Sequence, residues 1–164
     1  MFNKILIAAA LVFVLAVLFI GGQRAVKDEP PLQNGAALGA FQLSESFFDF
    51  GTISMRAGKV SREFTLTNAT TAPLVIEQVS TSCMCTEAFV GDGDSRKGPY
   101  GMPGHGYVPP VNVSVDAGKT APIEVFFDPA AHGPAGIGKI ERAVFIEDNG
   151  GNRSTIVIRA FVTP

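Results

Sequence analysis

The sequence has few of the residues from which enzymes commonly build an active site. Its 164 residues include no tryptophan, two histidines and two cysteines. It also lacks a nucleophile elbow, a phosphate-binding glycine-rich loop and a His-Glu-x-x-His zinc motif, which are local signatures of catalysis. A catalytic centre would have to be assembled from scattered groups. We therefore expect that the chain is not an enzyme.

Clustered positive charge is also scarce. Lysine and arginine total 13 against 15 aspartate and glutamate residues, which gives a formal net charge of −2. The basic residues are scattered, and Arg96-Lys97 is the one adjacent pair. Proteins that bind nucleic acid present a basic patch or stripe to the phosphate backbone. We therefore predict no nucleic-acid partner.

One long hydrophobic run differs from the rest of the chain. Residues 5–20 are 16 consecutive uncharged apolar residues. With its flanking residues the run reaches the short end of the length of a membrane-spanning helix, which needs about 20 residues. We predict a transmembrane anchor at 1–22 that contacts the membrane through residues 3–22. A cleaved signal peptide is the alternative, although no Ala-x-Ala cleavage site follows Ile20.

A hydrophobic segment at the extreme N-terminus usually leaves the rest of a chain outside the cytoplasm. We therefore predict a single-pass membrane protein whose C-terminal domain is exported to the cell envelope. Residues 23–42 contain glycine, alanine and a Pro-Pro pair without hydrophobic periodicity, which indicates a flexible tether. The folded domain is expected over residues 43–164.

Short segments of alternating apolar and polar residues follow the tether. Phe64 and Leu66 alternate with polar neighbours, as do Ile156 and Ile158 near the end of the chain. The 18 glycines and 11 prolines favour turns between these segments, and residues 148–152 (DNGGN) predict a hairpin. We therefore predict an all-β fold, an Ig-like antiparallel β-sandwich of seven to eight strands.

Residues 91–110 interrupt the alternating pattern. They contain six glycines and four prolines among twenty residues and show no pattern that would build a core. A loop of this length is uncommon in a compact domain and is either functional or disordered. We predict a long Gly/Pro-rich loop at 91–110, which contains Met102 and His105.

Several local motifs resemble one bacterial family, the domain of unknown function 1573. The resemblance runs from about Phe47 to Val162. It is carried by FDFGTI at 48–53, EFTLTN at 63–68, PLVI at 73–76, SCMCT at 82–86 and AGK at 117–119, and by IEVFFDP at 123–129. Members of the family typically have Cys-Gly-Cys-Thr where this chain has Met84 between its cysteines. The resemblance implies an Ig-like sandwich related to Hydin-type modules in an exported, often membrane-anchored setting, and it implies no activity.

Cys83 and Cys85 follow a strand-like run, and their pattern leaves four interpretations open. They are two small buried apolar residues, a disulfide, a soft-metal site, or reactive thiols in a redox role. On one strand the two side chains would share a face with Cα atoms roughly 6.5–7 Å apart, so that a disulfide would need a bend. The spacing lacks the second cysteine pair of a structural zinc site.

Copper is the candidate cofactor in the soft-metal interpretation. Thiolate and thioether sulfur select Cu(I), and imidazole also suits copper. Cys83, Cys85, Met102 and His105 are therefore the predicted metal ligands, provided that the loop folds back over the cysteines. The second histidine, His132, lies in a turn-like segment and is assigned no role.

The first functional hypothesis is a non-catalytic exported domain that contacts a protein partner at the cell envelope. Antiparallel sandwiches offer edge strands to which a partner strand can add. The alternatives are a Cu(I)-binding module that uses the four predicted ligands, and a thiol-redox role of the cysteine pair.

Overall fold

The computed structural model describes residues 41–106 and 108–164. The predicted anchor at 1–22 and nearly all of the predicted tether at 23–42 lie outside the described residues. Within the described part, no helix is long and apolar enough to cross a membrane.

The described residues form ten β-strands, where the alternating pattern predicted seven to eight. The strands are β1 Phe41–Leu43, β2 Phe47–Ser54, β3 Val60–Asn68, β4 Leu74–Thr81, β5 Thr86–Val90, β6 Lys97–Tyr100, β7 Val113–Val115, β8 Thr120–Phe127, β9 Gly138–Asp148 and β10 Arg153–Thr163. Three short 3-10 turns lie at Met55–Ala57, Gly93–Ser95 and Gly133–Gly136. The count exceeds the prediction because β1, β6 and β7 span only three or four residues each, too few for a pattern of alternation to be recognised.

The strands make two five-stranded sheets, ordered β1-β3-β8-β5-β6 and β2-β10-β9-β4-β7. An all-β sandwich is therefore confirmed. One pairing differs from the prediction, because β2 runs parallel to β10 whereas the sequence predicted antiparallel strands throughout. Alternation reports which face of a strand is buried and carries no information on its direction, so this pairing could not be derived from the pattern.

The core lies between the sheets and consists of the apolar residues of the alternating segments. Phe64 and Leu66 of β3 are buried, as are Ile156, Ile158 and Val162 of β10. Burial of an aliphatic or aromatic side chain stabilises a fold by about 1.5–3 kcal/mol. The hydrophobic contacts of these strands therefore hold the two sheets together.

The Gly/Pro-rich segment 91–110 is more ordered than its composition predicted. It contains β6, which pairs with β5, and the side chain of Tyr100 is buried in the core. Burial raises the pKa of Tyr100 above its usual value of 10.0. Gly98 has a φ of +136°, and a Cβ there would lie 2.8 Å from the Phe89 ring. Glycine at this position therefore allows the segment to lie against β5.

Candidate functional site

The two cysteines lie in the turn that joins the two sheets. Strand β4 ends at Thr81 in one sheet and β5 begins at Thr86 in the other, so that residues 82–85 cross between the sheets. The prediction that Cys83 and Cys85 share a strand is therefore wrong. The buried Thr81 hydroxyl lies 2.9 Å from the Cys83 carbonyl and 3.0 Å from that of Thr86. In a continuing strand these carbonyls would accept hydrogen bonds from a neighbouring strand. Here the Thr81 hydroxyl donates to them instead and stabilises the turn.

Cys83 and Cys85 form a disulfide within this turn. Their Cα atoms are 5.3 Å apart, inside the usual range for a disulfide and closer than the spacing expected on a straight strand. The two residues are also buried, at 8% and 2% exposure. The bend that a disulfide required is therefore present. Because the bond closes only one turn, it does not tie the sheets together.

Two basic side chains contact the disulfide, one on each sulfur. The Nε of Arg142, on β9, donates to Cys85 Sγ at 3.2 Å. The Nε2 of His132 lies 3.2 Å from Cys83 Sγ. Two longer contacts add to these. The Cys85 backbone N–H donates to Cys83 Sγ at 3.3 Å, and the Thr86 hydroxyl lies 3.7 Å from Cys85 Sγ. Each sulfur therefore has its own polar environment.

Backbone hydrogen bonds bring the elements that carry His132 and Arg142 to the turn. The Asp128 N–H, at the end of β8, donates to the Cys85 carbonyl at 2.9 Å, and the loop to His132 starts there. On the other side, Ser82 donates its N–H to the Ala143 carbonyl and accepts the Ala143 N–H on its hydroxyl, both at 2.9 Å. The residue next to Ala143 is Arg142, whose position is thereby set.

Arg142 lies at an inward-facing position of its strand. Ile140, Val144 and Ile146 occupy the same face of β9 and are buried, while Arg142 is half-buried. A half-buried guanidinium needs hydrogen-bond acceptors, and those of Arg142 are the Cys85 sulfur and the Glu141 carbonyl. Among residues 41–106 and 108–164 it makes no ion pair with a carboxylate. The Cys85 sulfur is therefore the side-chain acceptor of the Arg142 guanidinium among these residues.

The sequence contained a signal for Arg142 and none for His132. Arg142 occupies the same parity as Ile140, Val144 and Ile146, which places its side chain on the inward face of the strand. His132 reaches the cysteines because β5 and β8 are neighbours in one sheet, with Thr86 opposite Phe127. A single sequence does not reveal that pairing. The assignment of no role to His132 overlooked the closest imidazole contact of the cysteine pair.

Met102 and His105 lie beside the turn and face a cavity on the side of Met84. They line a cavity of about 230 Å³ together with Met84, Glu87 and Pro99. The cysteine sulfurs are not part of its lining. Met84, at the tip of the turn, is 52% exposed. Three side chains that suit a soft metal therefore line this cavity. They are Met84, and Met102 and His105 from the predicted metal site.

In the described part of the chain, one group of side chains has the spacing of a metal site. The sulfurs of Cys83 and Cys85 and a ring nitrogen of His132 lie within 4.8 Å of one another. Cys83 and Cys85 belong to the predicted copper set, and His132 was not in it. The combination of Cys83, Cys85, Met102 and His105 stays a prediction.

Removal of the disulfide is expected to leave the fold intact. In the chain-entropy account, closing a loop of three residues stabilises a protein by about 1.6 kcal/mol, against about 3 kcal/mol for a fifteen-residue loop. We expect that Cys83→Ala/Cys85→Ala lowers the free energy of unfolding by about 2 kcal/mol, as measured by urea denaturation. A loss of 4 kcal/mol or more, on the order of a large core truncation, would show instead that the bond is essential to the sandwich.

Comparisons with known proteins agree with the fold. The solved structure of a protein of unknown function from Porphyromonas gingivalis W83 is similar over 82% of this chain and 51% of its own length, at 16% identity and a TM-score of 0.55. The VesB protease of Vibrio cholerae is similar over 75% of this chain and 32% of its own, at 19% identity and a TM-score of 0.51. This chain thus spans about half and about a third of these two proteins. At such identities the likeness concerns the fold alone.

No curated protein sequence matches the chain. A family model does match, and the matched segment extends from β1 into β6 and includes the cysteine turn. The motifs at 117–119 and 123–129 lie outside this match. Over residues 41–98 the resemblance that the motifs indicated is confirmed, because this segment matches the family described as Protein of unknown function (DUF1573).

Proposed function

We propose that this chain is an exported domain whose Cys83–Cys85 disulfide exchanges with the thiols of a protein partner. The observation that carries the proposal is the contact of Arg142 with Cys85 Sγ at 3.2 Å. Within residues 41–106 and 108–164 this guanidinium has no carboxylate partner. Directed at one sulfur of a disulfide, it stabilises the negative charge that this sulfur acquires when the bond breaks. Hydrogen bonds to charged groups contribute about 1.5–3 kcal/mol.

The stability of the leaving thiolate is one factor that sets how fast a disulfide is opened by a thiolate. Exchange proceeds by attack on one sulfur and departure of the other as a thiolate, and it is faster when the departing thiolate is stabilised. Cys85 Sγ has the Arg142 Nε–H and the Thr86 hydroxyl beside it. Cys85 is therefore the leaving group in this proposal, and Cys83 is the sulfur that is attacked.

The exchange balances in two steps. In the first, a partner thiolate attacks Cys83 Sγ, a bond forms between the two sulfurs, and the electron pair of the Cys83–Cys85 bond moves to Cys85 Sγ. In the second, another partner thiol attacks the partner's own sulfur in the mixed disulfide and releases Cys83 as a thiolate beside His132. The partner loses two electrons and becomes a disulfide. The cysteine pair gains them and takes up two protons.

The exposure of the turn fits attack at Cys83 by a protein. Cys83 is the more exposed of the two cysteines, at 8% against 2% for Cys85, and His132 beside it is exposed. Met84 extends outward between them and is 52% exposed. Its flexible thioether offers an adaptable apolar contact of the type that recurs at binding surfaces. This contact surface supports a protein as the partner.

The proposal includes the compartment that the sequence predicted. Disulfides form and persist in oxidising environments outside the cytoplasm, which supports an exported domain at the cell envelope. The apolar run at residues 5–20 supports a membrane anchor with the sandwich on the far side. In this account each molecule of the chain accepts two electrons from the thiols of its partner.

Reaction with glutathione tests the proposal on the intact chain. The full protein in mild detergent would be incubated with glutathione, quenched with acid, treated with N-ethylmaleimide and sequenced by tandem mass spectrometry. We expect glutathione on Cys83 and maleimide on Cys85 at early times, since Cys83 is the attacked sulfur.

Two further outcomes decide against the proposal. Glutathione found on Cys85 would reverse the assigned roles and remove the argument from Arg142. A folded protein in which the disulfide stays unreacted, while urea-unfolded protein reacts, would make the bond structural and leave protein contact as the function of the domain.

A further inference from the structure

We infer that the reduced cysteine pair and His132 together form a binding site for Cu(I). The inference rests on the proposed function, because the sulfurs become ligands only after the disulfide is reduced. Two thiolates and one imidazole are soft or borderline donors, a set that suits copper(I). The site differs from the predicted one in its third ligand, which is His132 instead of the pair Met102 and His105.

The spacing of the three donor atoms is close to that of a three-coordinate metal. Metal–sulfur bonds near 2.3 Å and metal–nitrogen bonds near 2.0 Å place the ligand atoms of a trigonal site roughly 3.5–4 Å apart. Cys83 Sγ and His132 Nε2 are already 3.2 Å apart, and all three donors lie within 4.8 Å. Reduction would let the two sulfurs separate by rotation of their side chains. The backbone of the turn can therefore stay in place.

Charge also favours a monovalent ion at this position. Two thiolates and one Cu(I) leave a net charge of −1, which is costly at a site where both cysteines are buried. The guanidinium of Arg142 beside Cys85 Sγ offsets that charge and donates a hydrogen bond to the sulfur. Partners of this kind around the ligands orient them and strengthen binding. Arg142 is thus a positioning residue for the metal site and does not bind the ion itself.

The oxidation state of the pair would switch the site on and off. In the disulfide the two sulfurs are bonded to each other and carry no thiolate charge. Reduction by two thiols of the partner yields the dithiol and the partner's disulfide. Cu(I) then binds as the dithiol releases its protons, because thiolates and not thiols bind the metal. When its environment becomes oxidising and the disulfide forms again, a domain of this type loses its bound copper and binds no more.

An anaerobic Cu(I) titration against a competing chelator tests the inference. The full chain would be used in mild detergent in its reduced and its oxidised form, with the free thiols counted by alkylation in each sample. We expect one Cu(I) per chain in the reduced form, and binding weaker by about a hundredfold or more in the oxidised form. Cys83→Ala/Cys85→Ala should lose this site as well.

Two histidine variants identify the third ligand. His132→Gln is expected to weaken Cu(I) binding by about a hundredfold, since loss of a direct ligand exceeds the 10–100-fold cost of losing a supporting residue. His105→Gln, in the cavity with Met102, is the matched control and should bind as the wild type does. The opposite pattern would overturn the inference in favour of the site that includes His105.

The thiol count separates failure of this inference from failure of the proposed function. Two free thiols without Cu(I) binding would refute the metal site and leave the exchange proposal standing. A folded protein that yields no free thiols under the reducing conditions would refute the exchange proposal, and with it the inferred site.

Discussion

Replacement of Arg142 by glutamine is expected to slow the reduction of the Cys83–Cys85 disulfide by about tenfold. The substitution removes the guanidinium that lies 3.2 Å from Cys85 Sγ. Loss of one hydrogen bond from a charged donor raises the barrier to thiolate departure by at least about 1.4 kcal/mol, which is a factor of ten in rate. The rate would be measured with dithiothreitol, by quenching with acid and counting alkylated thiols.

Arg159→Gln provides the control for this experiment. Arg159 lies on the neighbouring strand β10, pairs with Glu141 at 3.0 Å and is 49% exposed in its side chain. Exposed ion pairs contribute at most about 1 kcal/mol to stability, so this variant should fold and react as the wild type does. Equal rates for Arg142→Gln and wild type would show that the guanidinium does not assist the exchange. The thermal midpoint of each variant would confirm that the sandwich is intact.

Replacement of Asn68 by alanine is expected to lower the free energy of unfolding by about 3 kcal/mol. Asn68, at the end of β3, is fully buried. Its Nδ2 donates to the carbonyls of Ala72 and Val115, each at 2.8 Å, and its Oδ1 accepts from the backbone N–H and the hydroxyl of Thr70. Each buried group that loses its partner costs about 1–3 kcal/mol. Urea denaturation would measure the loss.

Asn149→Ala is the matched control for the buried asparagine. Asn149 lies in the hairpin after β9, and its exposed side chain accepts one hydrogen bond, from the Val75 N–H at 3.2 Å. We expect a cost below about 1 kcal/mol, because water replaces an exposed hydrogen bond at little cost. Similar losses in both variants would contradict the role assigned to Asn68 in joining β3 to the β7 side of the sandwich.

The class of fold could be predicted from the sequence because the alternation of apolar and polar side chains indicates which face of a strand is buried. Phe64 and Leu66 in β3, and Ile156 and Ile158 in β10, lie on the inward face as their spacing predicted. The predicted hairpin at 148–152 is also present, between β9 and β10. These features depend on neighbours in the sequence, and a pattern over a few residues suffices to identify them.

Features that depend on which strands become neighbours could not be derived in the same way. The parallel pairing of β2 with β10 joins residues about 110 positions apart, such as Phe47 and Val157. The order in the segment 91–110 depends on the pairing of β6 with β5 and on the burial of Tyr100. Composition indicates that such a segment is rich in turns, and it does not report tertiary contacts.

The candidate site also combines residues that could be recognised from the sequence with residues that meet only through the fold. The sequence contains two cysteines separated by one residue, Cys83 and Cys85, and a disulfide was one of the four interpretations of this pair. The straight-strand geometry was wrong because the chain turns at Ser82 to enter the second sheet. His132 and Arg142 come from two different elements and meet the sulfurs only in the folded domain. The chemistry of the pair therefore depends on residues whose roles sequence spacing could not assign.

The reduction potential of the Cys83–Cys85 bond decides whether this disulfide is a reversible redox centre. The full chain would be equilibrated in dithiothreitol buffers of graded potential, alkylated and weighed to obtain the fraction reduced. We expect a midpoint above about −300 mV, the range of redox-active disulfides. A folded protein that remains oxidised in buffers below that potential would contradict it, because structural disulfides behave in that way.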